Sequence, residues 1–424
     1  MINKIIAEQS LTKLYIWHTK PRIMNLSEEL PNLLKSKDTL VNLLFPDSLE
    51  ISGLSMLNQF SNLNFLHLCN SSVDLLDYIS NPLCRLQQLT LSKFNELQKL
   101  FETLKPNSSI TCLVLDNCPM VFSMFIQFIN SNKSLLKLIC KNAQFTFDIE
   151  MDSAKITNQK LEGLLVKNDD EPSAYCHAFN NLWTVPSSLT ALELWQDYTK
   201  PLNPDLFKRI HSIGYNYLNR NLDPKNVCDL IQTNKSIFDV FKIYGDFTDN
   251  DGSDNGEADD IAENERFVMP IFKTILENSV KLCKLEITIS LDFNVTVYII
   301  KNIPSTLNTL TLSAAGNYSY PTLFECLMLP VCNNIESLNY YLDKLSSNDT
   351  LDGYIELFCD LINNNQNLKR LYISYPHKGT ITPETASKFK TTIDNNYTHL
   401  FNIGITLYDG NNSENFEFLR KYKL

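Results

Sequence analysis

The sequence predicts an α/β fold in which short parallel strands alternate with helices along one repeated array. Two observations predict it. A hexamer with apolar residues at its first, fourth and sixth positions, such as ITCLVL from Ile110, recurs fifteen times along the 424 residues. The segments between hexamers show helical periodicity. The hexamers begin at Leu11, Leu40, Leu63, Leu86, Ile110, Leu135, Leu161, Leu189, Ile210, Phe238, Leu282, Leu307, Ile335, Leu368 and Leu400.

Each hexamer is predicted to be a strand of a parallel sheet. Because side chains alternate along a strand, the second and third apolar residues of a hexamer point to the core and their neighbours point outward. One such strand cannot bury its apolar side alone, but stacked strands form a continuous inner surface. At about 4.8 Å per strand, fifteen strands would extend over roughly 70 Å.

Many segments between the hexamers are long enough for a helix. Apolar residues recur in them at i, i+3, i+4 and i+7, and several segments open on Pro or on a capping Asp or Thr. The clearest predicted helices are FNELQKLFETL (94–104), MVFSMFIQFINSN (120–132), PKNVCDLIQTN (224–234), MPIFKTILENS (269–279), DGYIELFCDLINNN (352–365) and TPETASKFKTTIDNN (382–396).

Successive hexamers start 21 to 33 residues apart, except for an interval of 44 after Phe238. With Cys118 three residues after Leu115, the pattern L-x-x-L-x-L-x-x-N/C resembles a leucine-rich repeat. The helical segments make the ribonuclease-inhibitor-like subclass the closest resemblance. That subclass implies a horseshoe-shaped solenoid, with a concave parallel sheet and convex helices, over residues 1–424 as a single domain.

Two details qualify the resemblance. The segments VPSSLTALELWQDYTKPL from Val185 and IPSTLNTLTL from Ile303 are also similar to the FNIP variant of the repeat. In addition, the position that holds Asn or Cys in the family is often occupied by another residue, so a regular asparagine ladder is not expected. The substituted positions are Ser71, Asp169, Asp197, Ser290 and Ala315.

The formal charge of −11 comes mainly from one segment. Residues 245–265 contain nine acidic residues and no Lys or Arg, so the rest of the chain has a charge of −11 + 9 = −2. A nearly neutral remainder predicts neither nucleic acid nor an anionic membrane surface as a partner. Without these 21 residues the interval of 44 becomes 23, an ordinary repeat, so we expect a disordered acidic insertion within the array.

The insertion has a partial likeness to a calcium-binding loop. Asp251, Ser253 and Asn255 occupy its first, third and fifth positions, with Gly256 at the sixth, but Ala262 stands where the twelfth requires a bidentate Glu. Elsewhere, Cys176-His177 beside acidic residues lacks the paired spacing of a zinc site. We therefore predict no metal, no cofactor and no catalytic residue, and hence a protein that is not an enzyme.

The eleven cysteines include no CxxC pair, and they are expected to be reduced thiols in the core. The first residues have no secretory pattern, and no apolar run is long enough to span a membrane. The expected location is the cytoplasm, with the nucleus as the alternative.

The outward positions of the strands are the predicted partner-binding residues. Aromatic and Arg side chains on a rigid face are typical binding anchors. The predicted residues are Lys13, Tyr15, Trp17, Phe65, His67, Lys137, Lys141, Lys167, Glu193, Trp195, Lys242, Tyr244, Arg370 and Tyr372. For Trp17 the alternative is packing against a capping segment.

The function favoured by these features is that of a monomeric, non-enzymatic scaffold that binds a protein partner on its concave face. Two alternatives remain open by analogy with related folds. One is a substrate receptor of a ubiquitin ligase, for which the segment EELPNLLKSKDTLVNLLF from Glu28 has a weak F-box-like start. The other is a regulator of GTPases of the leucine-rich-repeat type.

Overall fold

The computed structural model describes residues 11–16, 22–45, 49–69, 74–107, 109–167, 179–194, 202–216, 224–244, 257–289, 293–314, 320–342, 351–375, 382–396, 402–409 and 412–416, with residues 291, 398 and 400. They form a mixed α/β fold of parallel sheets and helices. The chain divides into two compact units. The first comprises residues 1–192 and 200–209, and the second comprises residues 193–199 and 210–424.

The first unit is built around a sheet of seven parallel strands in the order β1-β3-β5-β6-β7-β9-β11. Short parallel pairs, β2 with β4 and β8 with β10, form two further sheets. The strands are β1 Lys13–Tyr15, β2 Arg22–Asn25, β3 Asn42–Phe45, β4 Leu49–Ser52, β5 Phe65–Cys69, β6 Gln88–Ser92, β7 Cys112–Asp116, β8 Pro119–Val121, β9 Lys137–Lys141, β10 Gln144–Thr146 and β11 Gly163–Lys167.

Helices connect many of these strands. The α-helices are α1 Leu26–Glu29, α2 Leu75–Ser80, α3 Leu97–Leu104 and α4 Phe122–Ser131, and the 3-10 helices are Pro31–Ser36, Leu54–Gln59, Met151–Ser153 and Pro204–Leu206. Helices α3 and α4 confirm the helices predicted over 94–104 and 120–132. The rings of Phe101 on α3 and Phe128 on α4 stack with their centroids 4.0 Å apart, which joins the two helices through their buried sides.

The core of the first unit lies between these helices and one face of the seven-stranded sheet. The second apolar residues of successive hexamers are paired in register across neighbouring strands and fully buried, as in the row Leu43, Leu66, Leu89, Leu113 and Leu138. Full burial of one such side chain contributes about 1.5–3 kcal/mol. The row is therefore the feature that the hexamer pattern predicts.

A nine-stranded sheet runs in chain order from β12 to β20, and all of it except Ala191 and Leu192 at the start of β12 belongs to the second unit. Strands β13 to β19 pair in parallel, and β20 pairs with β19 in antiparallel fashion. The strands are β12 Ala191–Leu194, β13 Ser212–Asn216, β14 Val240–Tyr244, β15 Lys284–Ile287, β16 Thr309–Ala314, β17 Ser337–Leu342, β18 Arg370–Tyr375, β19 Asn402–Asp409 and β20 Asn412–Phe416.

The second unit repeats the alternation of strand and helix. Its helices are α5 Pro224–Asn234, α6 Glu257–Asn278, α7 Phe293–Lys301, α8 Tyr320–Leu327, α9 Leu351–Asn364 and α10 Pro383–Asn396, with a 3-10 helix at Pro330–Cys332. They confirm the four helices predicted between residues 224 and 396. The buried row in register here is Phe241, Leu285, Leu310, Leu338 and Leu371.

Buried asparagines fix the turns that lead into several strands. Oδ1 of Asn132 accepts a hydrogen bond from the backbone N–H of Leu135 over 2.8 Å, and its Nδ2 donates to the carbonyl of Leu104 over 3.2 Å. Asn107, Asn158 and Asn365 occupy the same position, three residues before a hexamer, and make equivalent bonds. This asparagine ladder was not predicted. The five positions at which the Asn or Cys of the family repeat is replaced lie outside the described residues; they are Ser71, Asp169, Asp197, Ser290 and Ala315.

All fifteen predicted strands are present, and each begins two residues after the start of its hexamer. The prediction that they form one sheet is corrected, because they divide between the seven-stranded and the nine-stranded sheet. The backbone N–H of Thr190 donates to the carbonyl of Glu162 over 2.8 Å, as that of Glu162 does to Leu136. Among the described residues, no further backbone hydrogen bond joins β11 to β12. The seven-stranded sheet therefore ends at β11.

The predicted disordered insertion also needs correction over part of its length. Helix α6 begins at Glu257, so residues 257–265 are helical, while residues 245–256 lie outside the described residues. The segment EADDIAENE is rich in the helix formers Glu and Ala. Its acidic residues fall near the start of the helix, where the helix dipole favours negative charge.

Candidate functional site

The face of the seven-stranded sheet opposite the leucine row is the first candidate site, and we call it the first open face. Its first row, in register across the strands, is Lys13, Asn42, Phe65, Gln88, Cys112, Lys137 and Gly163. Its second row is Tyr15, Leu44, His67, Thr90, Val114, Ile139 and Leu165. The parallel ladder holds neighbouring members of a row about 4.8 Å apart.

The structure brings six of the predicted partner-binding residues together on this face. Lys13, Phe65 and Lys137 belong to the first row, Tyr15 and His67 belong to the second, and Lys141 follows on β9. The side chain of Tyr15 is 57% exposed, and both Lys137 and Lys141 are exposed. The backbone of Lys167 pairs with that of Lys141. Trp17 lies outside the described residues.

Exposed lysines of the first open face are available to a partner. Among the described residues, no carboxylate forms an ion pair with Lys13, Lys137 or Lys141. The stem of Lys137 lies over Gly163, where an added Cβ would come within 3.3 Å of its Cγ. Gly163 therefore gives this side chain the room to extend across β11.

Sequence reasoning missed the apolar members of the second row. Leu44, Val114, Ile139 and Leu165 occupy the position between the two inward-facing residues of their hexamers, where a polar residue is usual in a half-exposed strand. Val114 is only 8% exposed, and the other three are half-buried. The sequence did contain a signal for these residues, because their hexamers have continuous apolar runs such as LVL and LLV. In other hexamers apolar and polar residues alternate.

A shallow groove of about 390 Å³ opens where the strands of this face begin. It is lined by Asn42, Asn64, Phe65, Gln87, Gln88, Thr111 and Cys112. Burial raises the pKa of the Cys112 thiol, and the charge of Lys137 only partly opposes this, so the thiol is neutral at neutral pH. Of the lining residues, only Phe65 was a predicted site residue.

The corresponding face of the nine-stranded sheet, the second open face, holds a charged cluster. Glu286 on β15 accepts from Lys284 Nζ over 2.6 Å and lies 3.3 Å from Lys242 Nζ on β14. Burial acts to raise the pKa of Glu286, but the hydrogen bond from Lys284 and the charges of both lysines outweigh it and lower the pKa. Lys242, a predicted binding residue, is therefore already paired within the chain.

Further along the second open face lie two more predicted residues, Arg370 and Tyr372 on β18. Arg370 is exposed and has no ion pair among the described residues. The ring of Tyr372 lies 6.0 Å from that of Tyr341 on β17. Glu193 lies on β12 and Tyr244 lies on β14, and only the backbone of these two residues is described. Trp195 lies outside the described residues.

One group of titratable side chains comes close together near the start of the second open face. His211 Nδ1 lies 3.6 Å from Asp239 Oδ2, and Cys283, directly before β15, donates its backbone N–H to the carbonyl of Asp239 over 2.9 Å. Burial raises the pKa of Cys283 and the charge of Asp239 raises it further, which is the opposite of what a catalytic thiolate requires. In the described ranges no three His, Cys, Asp or Glu side chains are placed to hold a metal ion.

The sequence contains two possible metal-binding segments. One lies wholly outside the described residues and the other lies partly outside them. Cys176-His177 and its acidic neighbours are among the undescribed residues. Of the segment 251–262 that resembles a calcium loop, residues 257–262 are the first turns of α6.

The comparisons with known proteins give no relative from which to transfer a function. No family model matches the chain, and no curated protein is detectably similar to it. Among the described residues, no helix combines the length and apolar composition needed to cross a bilayer. The segment from Glu28 that suggested an F-box forms the end of α1, a 3-10 helix and β3, and so does not supply a three-helix bundle.

Proposed function

We propose that the chain is a leucine-rich-repeat protein of the ribonuclease-inhibitor-like type, with two FNIP-like repeats. Its fifteen repeats form one solenoid over residues 1–424. The proposal is supported by the strand that begins two residues after the start of every hexamer and by the buried rows that the hexamer leucines form. The interval between hexamers stays within 21 to 28 residues from Leu161 to Phe238, across the boundary between the two units.

Small-angle X-ray scattering tests the solenoid. A compact globule of this length has a radius of gyration of about 22 Å. A solenoid of fifteen repeats has a clearly larger radius and a pair-distance distribution with a long tail. A radius near the globular value would overturn the single solenoid.

The function that we propose is non-enzymatic binding of a protein partner on the concave face of this solenoid by a monomer in the cytoplasm. The observation that supports it most is the set of Lys13, Tyr15, Lys137 and Arg370, which are exposed on strand ladders and whose side chains form no ion pair or hydrogen bond within the described chain. Because the backbone of the ladder is already fixed, ordering these side chains is the main conformational cost of binding, about 0.5–1.5 kcal/mol for each rotamer-rich Lys or Arg.

Affinity purification with the full chain tests this function. The double variant Tyr15→Ala/Lys137→Glu and the double variant Arg370→Ala/Tyr372→Ala should each lower partner recovery about tenfold if their face binds, since hot-spot truncations cost about 1–2 kcal/mol or more. Lys133→Glu is the matched control, because Lys133 is exposed in the turn between α4 and β9. Equal recovery by wild type and both double variants would refute binding through these faces.

A further inference from the structure

The groove on the first open face is polar, and four of its lining side chains form no hydrogen bond among the described residues. Among the described residues, the side-chain amides of Asn42, Asn64, Gln87 and Gln88 form no hydrogen bond. Oδ1 of Asn64 is buried and no described group donates to it. A buried acceptor without a donor is destabilising, and such a group is usually explained by a ligand or by ordered solvent.

The ladder places these amides as a floor for a bound chain. Backbone bonds from Gln88 to the carbonyl of Asn64 and from Cys112 to that of Gln87 fix the lining residues of neighbouring strands at a constant spacing. Each amide presents both donors and an acceptor, as a peptide group does. The half-buried ring of Phe65 provides an apolar contact in the middle of the floor.

The charges around the groove are arranged at its two ends. No ionised side chain lines the floor. The same row of the sheet continues to Lys13 on β1 in one direction and to Lys137 on β9 in the other, and neither lysine has an ion pair within the described residues. Glu162 lies one strand beyond Lys137, outside the groove.

The distance between the two lysines sets the length of the ligand. The row from Lys13 to Lys137 crosses β1, β3, β5, β6, β7 and β9 in that order. At about 4.8 Å per step their Cα atoms are about 24 Å apart, which an extended peptide covers in about seven residues at about 3.4 Å each.

We propose that this groove binds an extended peptide that runs across the strands, with an uncharged middle and acidic residues about seven positions apart at its ends. The inference rests on the proposed function and specifies the partner of the first open face. The amides bind the main chain of the middle segment, Phe65 contacts one of its apolar side chains, and Lys13 and Lys137 pair with the acidic ends. A neutral oligosaccharide could use the amides, but it would leave both lysines without a counter-charge, so the peptide is favoured.

The test uses the immobilised full-length protein and three pools of octapeptides in which X is any uncharged residue. In the pool DXXXXXXD the acidic residues are seven positions apart, in KXXXXXXK they are replaced by lysines, and in XXXDDXXX they are adjacent. We expect the first pool to be retained about five- to tenfold better than the other two, since each exposed ion pair contributes up to about 1 kcal/mol. Equal retention of the three pools, or no retention of any, would overturn the inference.

Variants separate the floor from the ends. Gln88→Met keeps the shape of the side chain and removes its hydrogen bonds, and it should weaken retention of the first pool about fivefold. The double variant Lys13→Gln/Lys137→Gln should remove the preference for DXXXXXXD over KXXXXXXK, while Lys133→Gln should leave it unchanged. Circular dichroism confirms that each variant is folded.

Two further outcomes would overturn the inference and leave the proposed function in place. One is that retention persists in the Gln88→Met and double lysine variants but is lost with Arg370→Gln on the second open face. The other is that maltohexaose binds and displaces the peptides at the groove. Failure of the proposed function is seen separately, as partner recovery that none of the face variants changes.

Discussion

Asn158 donates from Nδ2 to the backbone carbonyl of Asn132 over 3.0 Å, so one buried turn asparagine is bonded directly to the turn that the preceding one fixes. The same Nδ2 donates to the carbonyl of Ile129, and Oδ1 accepts from the backbone N–H groups of Lys160 and Leu161. One side chain therefore satisfies four backbone groups where two strands enter the sheet.

Replacement of this asparagine should destabilise the first unit. Asn158→Ala leaves buried N–H and C=O groups without partners, and we expect the free energy of unfolding to fall by about 1–3 kcal/mol. Urea denaturation followed by circular dichroism measures it. Asn334→Ala is the control, because Asn334 is exposed and should change stability by less than about 0.5 kcal/mol. An equal loss in the two variants would contradict the structural role of the ladder.

The stacked rings of Phe101 and Phe128 provide a second prediction. Phe128 is 1% exposed, and Phe128→Ala should cost about 3–5 kcal/mol because it removes both the buried ring and its contact across α3 and α4. Phe128→Leu should cost less, since it refills part of the cavity. Leu83→Ala, at a side chain that is 64% exposed, is the matched apolar control. The denaturation midpoint should therefore fall most in Phe128→Ala, less in Phe128→Leu and least in Leu83→Ala. A different order of midpoints would show that the two helices are not joined through these rings.

The charged cluster on the second open face predicts a pH dependence. The pKa of Glu286 is lowered in the folded state, so its ionised form stabilises the fold above the unfolded pKa of about 4.3. That contribution is lost as the pH falls through the lower pKa of the folded state. In unfolding titrations between pH 6 and about pH 3, wild type should lose more stability than Glu286→Gln. Glu277→Gln, at an exposed site on α6, should behave like wild type.

Buried thiols predict a pattern of chemical reactivity. Burial raises the pKa of Cys118 to about 11 and that of Cys332 to about 12, so neither is a thiolate near neutral pH. Iodoacetamide at neutral pH should label them only after unfolding, whereas the partly exposed Cys112 should react earlier. Mass spectrometry of the labelled peptides gives the order. Labelling of Cys118 in the folded protein at the rate of a free thiol would contradict its burial.

The positions of fifteen strands could be predicted from sequence to within two residues of their starts. A hexamer such as LQQLTL places two leucines on one side of a strand, and this alternation depends only on local backbone geometry. Helix α5 likewise begins at its predicted residue, Pro224, because proline fits the first turn of a helix. Strands β2, β4, β8, β10 and β20 were not predicted. For β20 the reason is that NSENF has no apolar alternation and its pairing depends on the presence of β19.

The sequence could predict which residues are candidates for binding, but not which of them form ion pairs within the chain. Sequence reasoning chose Lys242 and Lys137 by the same rule, yet Glu286 neutralises the first and no described carboxylate approaches the second. The groove was not predicted, because Asn64, Gln87 and Thr111 precede their strands and meet only when those strands are in register.

The sequence by itself determined which residues form strands, which helices connect them and which side chains are buried, because these follow from local periodicity. Only the tertiary structure decided where one sheet ends and the next begins, which charges are paired and which amides line a common groove. These depend on register between strands that are 21 to 44 residues apart along the chain, and that register is fixed by contacts such as the bond from Asn158 to Asn132.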